Sequence, residues 1–253
     1  MPQFDPLHAT GGARAVFTTR RGGVSGGAYG AGGQGGLNLG AHVGDDPLAV
    51  EANRARLLEA LRAEGLRRIA WLEQVHGTTV VDLDRSSGGV PRADAALTSR
   101  AGLAACVLVA DCLPVLLAAP GAVAAAHAGW RGLAAGVLEN CVDALCAKAA
   151  CAPDALQAWL GPAIGAGAFE VGDEVRAAFV VSDAQASRAF LRVGSGKWLA
   201  DLPALARQRL RAAGLRAIHG DDICTVSNAA DYYSYRRDRV CGRQAGLIWL
   251  PVR

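Results

Sequence analysis

The sequence predicts an α+β protein, a single domain of mixed β-sheets flanked by helices that covers residues 1–253. Three observations point there. Apolar runs of strand length at 103–109, 115–119 and 123–127 are cut apart by Asp111, Pro114, Pro120 and Gly121, which marks buried strands. Helical patterns alternate with them irregularly, so a strictly parallel βαβ sheet is not expected. No linker, repeat or low-complexity tract divides the chain, and a length of 253 residues with 51% hydrophobic content can bury one substantial core.

The elements follow in order. Residues 14–20 alternate and hold Val16, Phe17, Thr18 and Thr19, a strand signature. In 22–36, nine of fifteen residues are glycine. Without a G-x-x-x-x-G-K-[ST] pattern there, or around Gly194-Ser195-Gly196-Lys197, this reads as a flexible surface loop or lid. Asp46-Pro47 opens a helix that Gly65 closes, with Leu48, Ala52, Ala55, Leu58 and Leu61 as its expected apolar stripe. Residues 69–72 and 79–83 read as strands around a turn at His76-Gly77. After Gly132 a helix is expected to about Ala150, then a strand from 158 ending in a Gly/Pro loop. Helices at 172–180 and 202–213 and short strands near Ile218 and at 247–250 complete the reading.

Several function classes are excluded early. A net charge of +3 is too small and too evenly spread for a nucleic-acid surface. Residues 101–128 are very apolar but broken into strand-sized pieces, so no membrane span is expected. Seven cysteines, an odd number with no C-x-x-C pair, fit a reducing compartment. Residues 1–10 lack an apolar run behind a basic flank, so a cytoplasmic protein is expected.

The chemistry concentrates in Glu73-Gln74-Val75-His76-Gly77, Ala110-Asp111-Cys112-Leu113-Pro114 and His127-Ala128-Gly129-Trp130-Arg131-Gly132. Two imidazoles and one thiolate leave a tetrahedral ion one open position, the arrangement of a catalytic zinc. Cys112 with His127 could equally be a nucleophile–base pair, with Asp111 orienting the histidine or only capping a turn. A helix starting near Arg131 would add amide dipoles and a guanidinium fork, an anion site beside His127. Cys106, Cys141, Cys146, Cys151, Cys224 and Cys241 read as buried fillers. His8, His42 and His219 default to structural or solvated roles, with an active-site role for His42 left open.

Those three segments, with Gly36-Leu37-Asn38-Leu39-Gly40, Ala93-Asp94-Ala95, Gly161-Pro162-Ala163-Ile164-Gly165 and Tyr233-Ser234-Tyr235-Arg236-Arg237-Asp238, resemble one bacterial family in one order from about residue 17 to 250. The family has been called polyphenol oxidase or laccase-domain, and more recently purine nucleoside phosphorylase, with a human relative active in macrophages. The resemblance implies zinc on His76, Cys112 and His127, and a mixed α/β fold. It implies phosphorolysis of adenosine, inosine and methylthioadenosine to free base and ribose 1-phosphate, with some adenosine deamination. Catalysis then falls to His76, Cys112, His127 and Arg131, and substrate binding to Arg20, Asn38, Gln74, Asp94 and Arg236. Val240-Cys241-Gly242-Arg243 departs from the family's pattern, which has threonine before Gly242.

Other classes remain beside it. A multicopper cluster consumes many histidines and this chain has five, with Met1 its only methionine, so zinc is preferred to copper. A Cys112–His127 amide hydrolase, of the kind linked to peptidoglycan editing in some relatives, is the runner-up enzyme. A non-catalytic metal-binding protein is disfavoured because a structural zinc normally takes four protein ligands. The expected partners are purine nucleosides and phosphate; the sequence leaves the oligomeric state open.

Overall fold

The structure, a computed structural model, describes the backbone of residues 4–8 and the whole of 12–86, 88–220 and 223–252. Expectations resting on residues 1–3 and 9–10 and on the His8 side chain lie outside the described residues.

In chain order, β1 (Phe4–His8), β2 (Arg14–Thr18) and β3 (Arg21–Ser25) precede α1 (Pro47–Leu61). Then come β4 (Arg68–Ala70), β5 (Val80–Asp82), β6 (Ala95–Thr98), β7 (Leu103–Val109), β8 (Leu113–Ala119) and β9 (Ala122–Ala128). Helices α2 (Trp130–Ala135) and α3 (Val137–Ala149) follow, with β10 (Gln157–Leu160), β11 (Glu170–Gly172) and α4 (Asp173–Val180) after them. The chain continues through β12 (Phe190–Gly194), β13 (Lys197–Ala200), α5 (Leu202–Ala212), β14 (Ala217–His219), α6 (Tyr235–Asp238) and β15 (Gln244–Trp249). A five-stranded sheet runs β1-β2-β15-β7-β4, a six-stranded one β14-β10-β8-β9-β6-β5, and a small third one β11-β13-β12. Parallel pairs occur at β4–β7, β5–β6 and β10–β14. The fold is therefore mixed α/β, as the sequence predicts.

The two large sheets stack face to face. Phe17, Val107 and Ile248 of the first pack against Leu116, Val123 and Ala125 of the second. The outer face of the first sheet, with Val16, Leu108 and Trp249, is covered by Leu57 and Leu61 of α1. That of the second, with Val115, Leu117 and Ala124, is covered by Leu138, Val142 and Leu145 of α3 and Leu205 and Leu210 of α5. Strands β7, β8 and β9 are thus buried on both faces at every position. Such strands read as unbroken apolar runs even when antiparallel. Alanines at 124, 125 and 126 keep the layers close.

Several expectations are corrected. The buried side of α1 is Val50, Asn53, Leu57 and Leu61, whereas Leu48 is 73% exposed and Ala55 is exposed. Its stripe is set by Asn53, which donates to the carbonyls of Gly36 and Asn38 and accepts from Val24 N–H. A polar residue anchors the buried face, which hydrophobic pattern alone misses. The same asparagine holds the glycine-rich segment, which forms β3 and a short 3-10 turn (Gly27–Tyr29) tied by Arg21–Gly36 and Ser25–Gly36 bridges. The helix expected after Gly132 starts at Trp130 and is two helices, broken at Gly136 with φ +100°. Strand β6 is only four residues long and β11–β13 are half-exposed, so none of them shows a long apolar run.

Candidate metal centre

Hairpin pairing assembles the centre. The β8–β9 register sets Pro114 opposite His127, so Cys112, just before β8, comes beside the histidine. The β6–β9 register sets Ala95 opposite Ala126, and His127 N–H donates to the Asp94 carbonyl at 2.7 Å. The Asp94 carboxylate then gathers the rest. It accepts the backbone N–H groups of Val75 (3.2 Å), His76 (2.9 Å) and Gly77 (2.7 Å), and lies 2.8 Å from His127 Nδ1.

Two residues of the centre hold left-handed backbone without being glycine, His76 at φ +60° and Asp111 at φ +85°. Each such conformation costs on the order of 1–3 kcal/mol and persists only when its surroundings over-determine it. For His76 the surroundings are the three N–H bonds to Asp94. The Asp111 carboxylate accepts from Thr225 Oγ1 (2.6 Å) and Arg236 N–H (2.6 Å), and its carbonyl accepts from Ile164 N–H (2.9 Å). Asp111 therefore fixes the turn before Cys112, one of its two expected roles. The group that orients a histidine is Asp94.

His76 Nε2 lies 3.8 Å from Cys112 Sγ, and donor atoms of His76, Cys112 and His127 all lie within 4.8 Å of one another. Bonds of about 2.0–2.3 Å to a tetrahedral ion would set such donors roughly 3.5 Å apart. The cradle also depends on Gly129, where a Cβ would sit 3.0 Å from Cys112 Sγ and 3.0 Å from His76 Cδ2. The donor set fits a metal ion, and the triad could hold one.

Electrostatics couple these groups. Burial alone would raise the Cys112 thiol, but the charge of His127 and hydrogen bonds from both histidines outweigh it and hold it below its usual value. Burial likewise opposes charge on His127, yet the Cys112 charge and the Asp94 hydrogen bond drive it above the usual histidine range. Asp94 is held below the usual carboxylate range, its burial outweighed by His127 and the Gly77 and Val75 amides. Without metal, the centre is a thiolate–imidazolium pair backed by a carboxylate.

His76 and Cys112, with Ala110 and Tyr235, form a wall between two cavities. One, of about 370 Å³, is also lined by His42, Gln74, His127 and Arg243. Burial and the nearby Arg243 and Arg54 lower the His42 pKa, so its ring is neutral at pH 7. The other, of about 300 Å³, is lined by the Trp130 and Phe169 rings and by Arg131, Arg236 and Arg239.

His76, Cys112 and His127 thus converge; Arg131 and Arg236 lie on one side of the His76–Cys112 wall and Gln74 on the other. Arg131 sits over the Trp130 ring at 4.4 Å and is exposed. Arg236 reaches the carbonyls of Ala168 (3.4 Å) and Glu170 (3.1 Å). Gln74 brackets Leu108, donating to its carbonyl (2.8 Å) and accepting its N–H (2.7 Å). Arg20 stands apart, bonded to the Gly30 and Ala229 carbonyls. Asn38 is fully buried, between the Gly40 and Arg243 backbones and the Asp45 carboxylate. Asp94 is fully buried too. Sequence reasoning passed over Trp130, Phe169, Tyr235, Arg239 and Arg243 as lining residues, although Trp130, Tyr235 and Arg243 sit inside the quoted segments and Phe169 and Arg239 close to them.

A layered α/β fold with a His–Cys–His triad open to two cavities defines a class of protein whose three donors could hold a metal ion. A family model described as multi-copper polyphenol oxidoreductase laccase matches residues 14–251, and the chain belongs to this family. Among curated relatives, the Pseudomonas aeruginosa protein named purine nucleoside phosphorylase PA4543 is 52% identical over 240 residues, 94% of this chain and 93% of that one. The Escherichia coli protein named purine nucleoside phosphorylase YfiH is 49% identical over 241 residues, 94% of each chain. Among solved structures, Neisseria meningitidis protein NMB0706 superposes with a TM-score of 0.90 at 46% identity, covering 98% of this chain and 99% of that one. YlmD of Geobacillus stearothermophilus gives 0.84 at 34% identity, covering 95% and 93%.

Proposed function

We propose that this chain is a zinc-holding purine nucleoside phosphorylase, a single catalytic domain that cleaves adenosine, inosine and methylthioadenosine with phosphate. One observation carries the reading: His76 and Cys112 of the triad form a wall of a cavity that pairs aromatic rings with arginines. Trp130, Phe169 and Tyr235 offer stacking faces for a purine. Arg131 and Arg239 make no side-chain hydrogen bond or ion pair among the described residues, which leaves their guanidinium groups for phosphate. Departure of the base leaves an oxocarbenium-like ribose, so a phosphate oxygen held beside the anomeric carbon and charge stabilisation of the leaving purine are what the site must supply. Zinc on His76, Cys112 and His127 would add Lewis acidity there when bound. Asn38 and Asp94, having no surface, support the site and do not touch substrate; Gln74 and Arg20 hold backbone around it.

Deamination needs a free carboxylic acid beside the reacting ring. Here Asp94 is fully engaged and Glu73 lies 3.8 Å from Arg92, so deamination is left out of the proposal. The test is base release from adenosine and inosine with and without phosphate. Release should require phosphate and yield ribose 1-phosphate; equal rates in phosphate-free buffer would make the enzyme a hydrolase.

A second reading is favoured by the thiolate–imidazolium pair backed by Asp94, the constellation of a cysteine amide hydrolase. It would require activity to rise, not fall, when metal is stripped, and Cys112 to be acylated by amide substrates.

A further inference from the structure

We infer that Asp94 is the positioning residue that presents both histidines of the triad, acting on the metal through them and never touching substrate. The inference rests on the metal part of the proposed function and is independent of the nucleoside part.

Its carboxylate has two oxygens and about four acceptor sites, and four donors occupy them. Oδ1 takes His76 N–H and the His127 ring, and Oδ2 takes Val75 N–H and Gly77 N–H. The bond to His127 Nδ1 fixes that nitrogen as the protonated one, which leaves Nε2 with a lone pair toward Cys112. The three amide bonds hold His76 in its left-handed conformation, φ +60°, which aims the other imidazole at the same point. Apart from Cys112, itself one of the three donors, no other described side chain contacts both histidine segments through hydrogen bonds. Full burial removes Asp94 from the cavities, so its influence on a metal can only pass through these contacts.

Asparagine is nearly isosteric but cannot satisfy this pattern. With its amide nitrogen at the Oδ2 position, it meets the Val75 and Gly77 N–H groups donor to donor, and the His76 turn must open. Turned over, it meets His76 N–H and donates to His127 Nδ1, which pushes the ring proton to Nε2 and removes the lone pair a metal needs. Either orientation displaces one histidine.

The test uses full-length protein stripped with chelator, then titrated with cobalt(II) and zinc(II). Wild type should take up one ion per chain, with the near-ultraviolet thiolate charge-transfer and visible d–d absorption of a tetrahedral cobalt site. Asp94→Asn should bind both ions at least about tenfold more weakly and give an altered d–d envelope. A residue that merely supports the fold would lower the melting temperature of the stripped protein and leave affinity and spectrum alone; unchanged values in a folded variant overturn the inference. Should Asp94→Asn fail to fold, wild type decides. Nitrogen-15 NMR of the zinc-loaded protein should show His127 protonated at Nδ1, and a bare Nδ1 overturns it. So does a wild type that takes up neither ion. A normal cobalt site without phosphate-dependent turnover would sink the phosphorylase reading alone.

Discussion

At the residue scale, the centre is built from side chains whose roles depend on one or two atoms. Gly129 is the plainest case, because an added Cβ would lie 3.0 Å from Cys112 Sγ, inside the cradle. Gly129→Ala should keep the fold but weaken zinc binding by at least about tenfold, roughly 1.4 kcal/mol, read by chelator competition. Arg131 is exposed above the Trp130 ring and carries the anion expectation. Arg131→Lys keeps charge but loses the planar fork, so phosphate KM should rise or kcat fall by about tenfold, roughly 1.4 kcal/mol. Zinc content and melting temperature should stay unchanged; unaltered phosphate kinetics in that variant would move the anion site toward Arg239. His76, Cys112 and His127 were legible in the sequence because soft ligands beside turn residues are chemically conspicuous. Asp94 was legible only as a carboxylate in a motif. Its partners lie 17 to 33 positions away along the chain, and no local pattern encodes a bond of that span.

At the element scale, the turn after β5 is clamped to α3 by Lys148, which reaches Asp82 (3.0 Å) and Asp84 (2.8 Å). Asp84 also accepts from Thr98 Oγ1 and Ser99 N–H and Oγ–H, joining the end of β6. Burial opposes the Asp84 charge, but Lys148 and these hydrogen bonds hold its pKa far below the usual carboxylate range. A depressed folded-state pKa means that the stabilisation is complete above the unfolded value of about 3.9 and is lost as pH falls through the folded value. Lys148 is raised, chiefly by its bond to Asp84, so its share is present below about 10.4 and lost as pH climbs through the folded value. Asp84→Asn should therefore cost about 1–2 kcal/mol at pH 7 in urea unfolding, and the difference should shrink toward pH 3. The break between α2 and α3 has a similar logic. Gly136 sits at φ +100°, so Gly136→Ala should destabilise by about 1–2 kcal/mol, although Ala is the better helix former. The sequence read one continuous helix here because a lone glycine is tolerated in helical patterns.

At the scale of the whole molecule, the triad ties β8, β9 and the loop before β5 to one point beneath the crevice. Metal that binds only the folded chain should stabilise it by about 2.7 kcal/mol at a hundredfold excess over Kd. In a chain of this size that corresponds to a melting shift of roughly 5–10 °C, which chelator should abolish. No shift between zinc-loaded and stripped protein would show that the triad does not hold metal in solution. The sequence by itself determined the fold class, the long buried strands, the helix cap at Asp46 and the three candidate metal donors. Each of these is written locally, as an apolar run, a cap or a soft ligand next to a turn. Only the tertiary structure decided that two sheets stack between helical layers and that Asn53 anchors the buried face of α1. It alone set Arg20 and Asn38 to holding loops, and made Asp94 the partner of both histidines. Those outcomes depend on strand register and hydrogen-bond partners far apart in the chain, and register is fixed by which faces can be buried together, a property of the assembled layers.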